Sequence, residues 1–142
     1  MSKSASWVYS TIPESEGQFL DDLESFLSLV EMDQDQFHYL TLSLSEAFTN
    51  AMVHGNKWDK SKSVMVQVSV NDMEVSADIT DQGRGGLAAV MNRRRPELLA
   101  ESGRGVDFMQ RYCASVEFAE SPGGGLTVRL RVPKRNGKVR VR

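Results

Sequence analysis

Cysteine occurs once in this chain, at position 113, so no internal disulfide is available and nothing asks for an oxidising compartment. Long apolar runs are missing as well. No window approaches the roughly 18 apolar residues of a membrane span, and no apolar stretch follows a basic N-terminal start. A cytoplasmic chain with no membrane partner is expected. Basic residues are scarce outside the last nine positions, KRNGKVRVR, which hold five Lys or Arg and no acid; the remainder carries 12 bases against 19 acids. A body with that excess of acid does not bind nucleic acid directly. The basic end reads as a solvated terminus or as a docking segment.

What is present suits one core. At 142 residues, with 40% hydrophobic content and a quarter of the residues charged, the chain is the size of a single domain. We assign residues 1–133 to that domain and 134–142 to the tail. No internal repeat divides it, nor any long linker.

The order of elements follows from periodicity. Ser6–Tyr9 reads as a short strand. FLDDLESFLSLV has apolar residues at 19, 20, 23, 26, 27 and 30, the period of an amphipathic helix, with Pro13 and acids at its entry. Asp33 or Asp35 offers an N-cap for a second helix. Its stripe of Phe37, Leu40, Leu44, Ala47, Phe48 and Ala51 predicts a buried face that ends near His54–Asn56. SVMVQVSV then alternates, and Asn71–Asp72 predicts a hairpin into MEVSADIT. A glycine-rich interval from Gln82 to Gly105, crossed in part by a short helix, leads to a helix over Val106–Tyr112. SVEFAE and LTVRLRV form a second hairpin around Pro122–Gly125. Helices with a mainly antiparallel sheet to cover will sit on one face of it. The expected fold is therefore α+β, a two-layer α/β sandwich.

Three stretches hold residues suited to a ligand. In EAFTNAMVHGN, Glu46 and Asn50 are four apart and share one side of a helix. In DQGRGG, Asp81 ends a strand and is followed by Gly83, Gly85 and Gly86, though an ordinary turn cluster has the same composition. In SGRG, glycines at a helix start leave N–H groups open to a phosphate, with Arg104 adding charge; a plain loop with a solvated arginine reads alike. His54 suits a helix-end contact as well as a pocket. Arg93–Arg95 reads as a solvated charge run, the tryptophans and methionines as packing, and Cys113 as a small buried hydrophobe.

Taken together and in this order, EAFTNAMVHGN, DQGRGG and GRGVDFM resemble the GHKL ATPase superfamily. That group takes in the ATPase domains of DNA gyrase, a heat-shock chaperone, mismatch-repair proteins and histidine kinases. The compact size, the glutamate four residues before the asparagine and the GRG box most resemble the anti-sigma factor serine-protein kinases, over about residues 5–133. The resemblance implies a histidine-kinase-type ATPase fold, ATP and Mg²⁺ as ligands, and ATP-dependent serine/threonine kinase activity. It also implies a STAS-type anti-anti-sigma protein as the phosphorylated partner, a sigma factor as a second partner, and a homodimer.

The resemblance assigns roles residue by residue. Asn50 would hold Mg²⁺ through its amide oxygen, as suits a hard cation. Asp81 would accept a hydrogen bond from the adenine amino group, with Thr127 as a further contact nearby. Gly83 and Gly85 would let the chain leave the strand beside the nucleotide, and Gly103, Arg104 and Gly105 would hold the phosphates. Glu46 would be the catalytic base for a substrate hydroxyl. One departure concerns the lid: relatives continue after the second glycine with an aromatic residue and an acid, and this chain has Gly86–Leu87. A docking module that binds ATP without transferring phosphate is the alternative. A detached histidine-kinase catalytic domain fits less well, because it would not need Glu46, and the other histidine, His38, precedes Asn50 on the same helix.

Overall fold

Strand formation here follows from residues that alternate in burial. In β2 (Ser63–Val70), Val64, Val66, Val68 and Val70 are buried, while Met65, Gln67 and Ser69 face solvent. The computed structural model describes residues 2–92 and 115–135. The expected helix over Val106–Tyr112, the Gly103–Arg104–Gly105 box, Arg93–Arg95, Cys113 and the tail beyond Arg135 lie outside the described residues.

Among the described residues, β1 (Lys3–Ser10), β2, β3 (Glu74–Thr80), β4 (Ser115–Glu120) and β5 (Leu126–Pro133) form one sheet in the order β1-β2-β3-β5-β4, antiparallel at every pairing. The turn between β2 and β3 is closed by Asn71, whose Oδ1 accepts hydrogen bonds from the N–H groups of Met73 (2.8 Å) and Glu74 (2.9 Å). An Asx turn of this kind explains why an asparagine starts the hairpin.

The helices α1 (Glu14–Leu27) and α2 (Gln34–Asn50) contribute Phe19, Leu23, Leu27, Leu40, Leu44 and Phe48 to the same core as the buried valines. Phe19 stacks on Phe48 at 4.8 Å between ring centroids, and Tyr9 meets both rings edge-on. The Tyr9 hydroxyl also donates to Asp22 Oδ2 at 2.7 Å, tying α1 to β1. On the opposite side of the sheet, Arg129 forms a two-pronged ion pair with Asp78 (2.6 and 2.8 Å). One face apolar and one face polar is the two-layer arrangement expected from the element order.

The second helix differs from expectation in its detail. Phe37 is half-buried and packs against the core, and Gln36 is buried as well, its Nε2 donating to the Pro133 carbonyl at 3.0 Å. Asp33 takes the N-cap position, and its N–H donates to the Lys134 carbonyl at 2.7 Å. Lys134, the first residue of the basic tail, is thus still tied to the domain. The last turn of the helix, Ala51–Gly55, is π-helical, closed by the Asn56 N–H on the Ala51 carbonyl at 2.8 Å. The chain then leaves through Lys57 and Trp58, both with positive φ. A π-turn adds a residue to the helical circuit and is frequent at functional sites.

Candidate functional site

One face of α2 and its π-turn carries Ala47, Asn50, Ala51, His54 and Gly55 at successive spacings of three, one, three and one. That spacing makes a continuous helical stripe. The stripe forms one wall of a cavity of about 60 Å³. Ile79, Leu126 and Val128 from the sheet form the facing wall, and Arg84 with Val90 of α3 (Gly86–Asn92) lines the cavity from the glycine loop side. Ala47, Ala51 and Gly55 on the helix leave the space, and the branched side chains on the sheet make it apolar.

Asp81 is the carboxylate of this cavity and is only 5% exposed. It follows the last residue of β3, and its main chain pairs with β5 through the Asp81 N–H on the Leu126 carbonyl at 3.0 Å. Its Oδ1 accepts from the N–H groups of Gly83 (2.9 Å) and Leu126 (3.0 Å). Burial pushes the Asp81 carboxyl above its ordinary range, and the two N–H groups partly oppose that rise.

Three glycines make room for this arrangement. A Cβ on Gly55 would overlap Asp81 Oδ2, one on Gly83 would overlap the Gly55 carbonyl oxygen, and one on Gly125 would overlap the Asp81 carbonyl oxygen. Oδ2 therefore lies against a helix terminus that only glycine lets so close. Gly85 has φ +72°, a conformation that favours glycine.

The residues expected at the site separate into groups. Asn50, Asp81, and His54 with them, line the cavity, while Gly83 and Gly85 shape the loop beside it. Glu46 lies one turn before Asn50 on α2, half-buried, and is outside the lining of this cavity. Thr127 takes the opposite side of β5: its Oγ1 is 2.8 Å from Thr80 Oγ1, whereas its neighbours Leu126 and Val128 line the cavity. Strand alternation makes this unavoidable, because Val128, Leu130 and Val132 all face the core. Gly103, Arg104 and Gly105 fall outside the described residues. Sequence reasoning overlooked Gly55, Gly125 and Leu126. The helical stripe starting at Ala47 is a signal that could have found Gly55.

The cavity fits a planar heteroaromatic ring with an exocyclic amino group. Its walls are apolar, its one buried carboxylate is walled by glycines, and a side chain at Gly55 would fill the approach to Oδ2. Asn50 supplies an oxygen donor of the type a hard divalent cation takes. Among the described residues, no group of three or more His, Cys, Asp or Glu side chains is gathered as a metal cage.

Comparison with known proteins adds to this geometry. Residues 10–132 match the family described as histidine kinase-like ATPase domain. The chain is 28% identical over 127 residues to the anti-sigma F factor of Bacillus subtilis (strain 168), covering 86% of each chain. It is 25% identical over 133 residues to the anti-sigma F factor of Shouchella clausii (strain KSM-K16), covering 90% of each. A crystal structure of the RsbU and RsbW domains of a Mycobacterium tuberculosis protein superposes with a TM-score of 0.66 at 17% identity. That alignment covers 92% of this chain and 32% of the longer one, and it supports the fold.

Proposed function

The chain belongs to the histidine kinase-like ATPase domain family, and from that premise we propose that it is an ATP-dependent serine/threonine protein kinase acting as an anti-sigma regulatory factor. Its phosphorylated partner is a STAS-type anti-anti-sigma protein, and it sequesters a sigma factor as a cytoplasmic homodimer. The anti-sigma F factors similar to it over most of their length support the regulatory part of this reading. The observation that carries the nucleotide part is Asp81, a buried carboxylate in an apolar cavity with its Oδ2 against Gly55.

On this reading Asp81 accepts the amino group of adenine, and the apolar walls from Ile79, Leu126 and Val128 exclude water from the ring. Leu126, rather than Thr127, is the β5 residue beside the base. Asn50 would hold Mg²⁺, which would supply positive charge to offset the phosphates. Glu46 takes the proton of the attacking serine or threonine hydroxyl. The bond from that oxygen to the γ-phosphorus forms as the bond to the β,γ-bridging oxygen breaks, and ADP leaves. Gly103, Arg104 and Gly105 hold the phosphates.

The test is phosphotransfer from labelled Mg-ATP into proteins of the source cell, with wild type beside Glu46→Gln. General-base catalysis contributes about 10²–10⁴-fold, so the variant should lose that much rate while keeping its ATP affinity. One small protein labelled on serine or threonine by the wild type alone supports the kinase. Equal labelling by both proteins removes Glu46 as the base. The position of Glu46 outside the cavity lining favours a second reading, a docking module whose shape is set by bound ATP. Intact ATP binding with no labelled protein would select it.

A further inference from the structure

We infer that Asn56 is a positioning residue for Asp81: its amide joins the end of the α2 π-turn to the loop that carries the carboxylate, and base recognition depends on that bond. The inference rests on the ATP-binding reading above and goes beyond it, because Asn56 does not line the cavity.

Asn56 is 1% exposed, and its side chain is fully engaged. Its Nδ2 donates to Thr11 Oγ1 at 2.9 Å and to the Ser63 carbonyl at 3.0 Å. Its Oδ1 accepts the Gln82 N–H at 2.8 Å. Thr11 Oγ1 in turn donates to the Lys62 carbonyl at 2.7 Å, and the Ser63 N–H donates to Gln82 Oε1 at 2.6 Å. Four stretches of chain meet here: the π-turn, the segment after β1, the start of β2 and the loop after β3.

Gln82 sits between Asp81 and Gly83, so the Asn56 bond fixes the peptide that links Asp81 to the loop. On its other side the Asp81 N–H is held by Leu126. The Gly83 N–H, one residue beyond Gln82, is a donor to Asp81 Oδ1. With the peptide before it unfixed, that donor and the Gly55 contact with Oδ2 would both shift. Gly55, whose backbone packs on Asp81 and Gly83, directly precedes Asn56 in the chain. The same residue therefore sets the helix terminus and the loop against each other.

A carboxamide is what this place requires. It must accept one N–H and donate to a carbonyl and a hydroxyl, which asparagine does with a single short side chain. Aspartate would keep the acceptor toward Gln82 but turn an oxygen on the Ser63 carbonyl. Alanine would take these bonds from the Gln82 N–H and the Ser63 carbonyl, both part-buried.

The experiment uses the full chain as wild type, Asn56→Ala and Asn56→Asp, with calorimetric titration of ATP and of GTP and a thermal melt of each protein. Titrations are run well below every melting transition. Asn56→Ala should lower ATP affinity about tenfold and shrink the ATP-over-GTP preference by a similar factor. Asn56→Asp, which keeps the Gln82 bond, should melt lower than wild type yet hold the base preference within about twofold, as expected when Nδ2 serves stability and Oδ1 serves position. A role in stability alone would lower both melting temperatures and leave the preference of Asn56→Ala at the wild-type value, which overturns the inference. Should Asn56→Ala not fold, amide exchange of the wild type decides. ATP slowing the Gln82 amide together with that of Gly83 supports the positioning role, and slowing of Gly83 alone overturns it. A wild type that binds neither nucleotide overturns the function reading itself, and this inference with it.

Discussion

Asp81 and Glu46 are both carboxylates of the proposed site, and the protein treats them in opposite ways. Asp81 is buried at a strand end, held by two main-chain N–H groups and walled by glycines. Glu46 rides half-buried on α2, a turn away from the cavity-lining Asn50. The Asp81 region is already assembled in the folded chain, down to hydrogen bonds that order the loop. On the proposed reading, Glu46 would meet a substrate hydroxyl brought to it by a docking partner.

The sharpest way to break that contrast is to exchange the two defects. Glu46→Gln should cost phosphotransfer and spare ATP affinity, as set out above. Gly55→Ala should do the reverse at the recognition end, because its Cβ would overlap Asp81 Oδ2. Overpacking of this kind generally costs about 1–3 kcal/mol, which corresponds to roughly fivefold to 150-fold in ATP affinity. Calorimetry finding wild-type affinity in Gly55→Ala would show that Oδ2 is not the contact that matters.

Asp81→Asn sharpens the comparison through pH. Burial raises the folded-state pKa of Asp81 above its ordinary value of 3.8. The folded protein then binds a proton that the unfolded chain has released, so the contribution of Asp81 to stability is fully present below that value and is lost as pH rises through the folded pKa. At neutral pH the ionised carboxylate burdens the ligand-free fold. Asp81→Asn should accordingly melt at a higher temperature than wild type at pH 7, with the gap closing in acid, while its preference for ATP over GTP falls. Melting curves across pH would check the first part. A variant less stable than wild type at pH 7 would mean that the two N–H bonds outweigh burial.

The smallest effect should come from a glycine that does not line the cavity. Gly17 lies within α1, and a Cβ there meets nothing within 4 Å. Gly17→Ala should gain about 0.5–1 kcal/mol in denaturant unfolding, the usual helix-propensity difference. ATP affinity should not change. A loss of affinity would mean that α1 takes part in the site.

Much of the fold was legible because its elements are written in local periods. The alternating valines of β2, the Asn71 turn and the stripe through Leu40, Leu44 and Phe48 each carry their own signal within a few residues. The same alternation in LTVRLRV would have assigned Leu126 rather than Thr127 to the cavity side, since Val128, Leu130 and Val132 face the core. The π-turn left no such trace. Gln36 is buried beside Phe37, its amide received by a carbonyl at the end of β5, 97 positions away.

The sequence by itself determined the layers, the order of the elements and the types of group available: a helix with Glu46 and Asn50 on one side, and an aspartate at a strand end before a glycine loop. Only the tertiary structure decided which of these meet. Asp81 is bonded to a residue 45 positions away, and Asn56 to one 26 positions away. Local propensity reaches a few residues along the chain. The fit of Gly55 against a carboxylate, or of one amide among four segments, exists only after long-range packing has excluded water and fixed the distances.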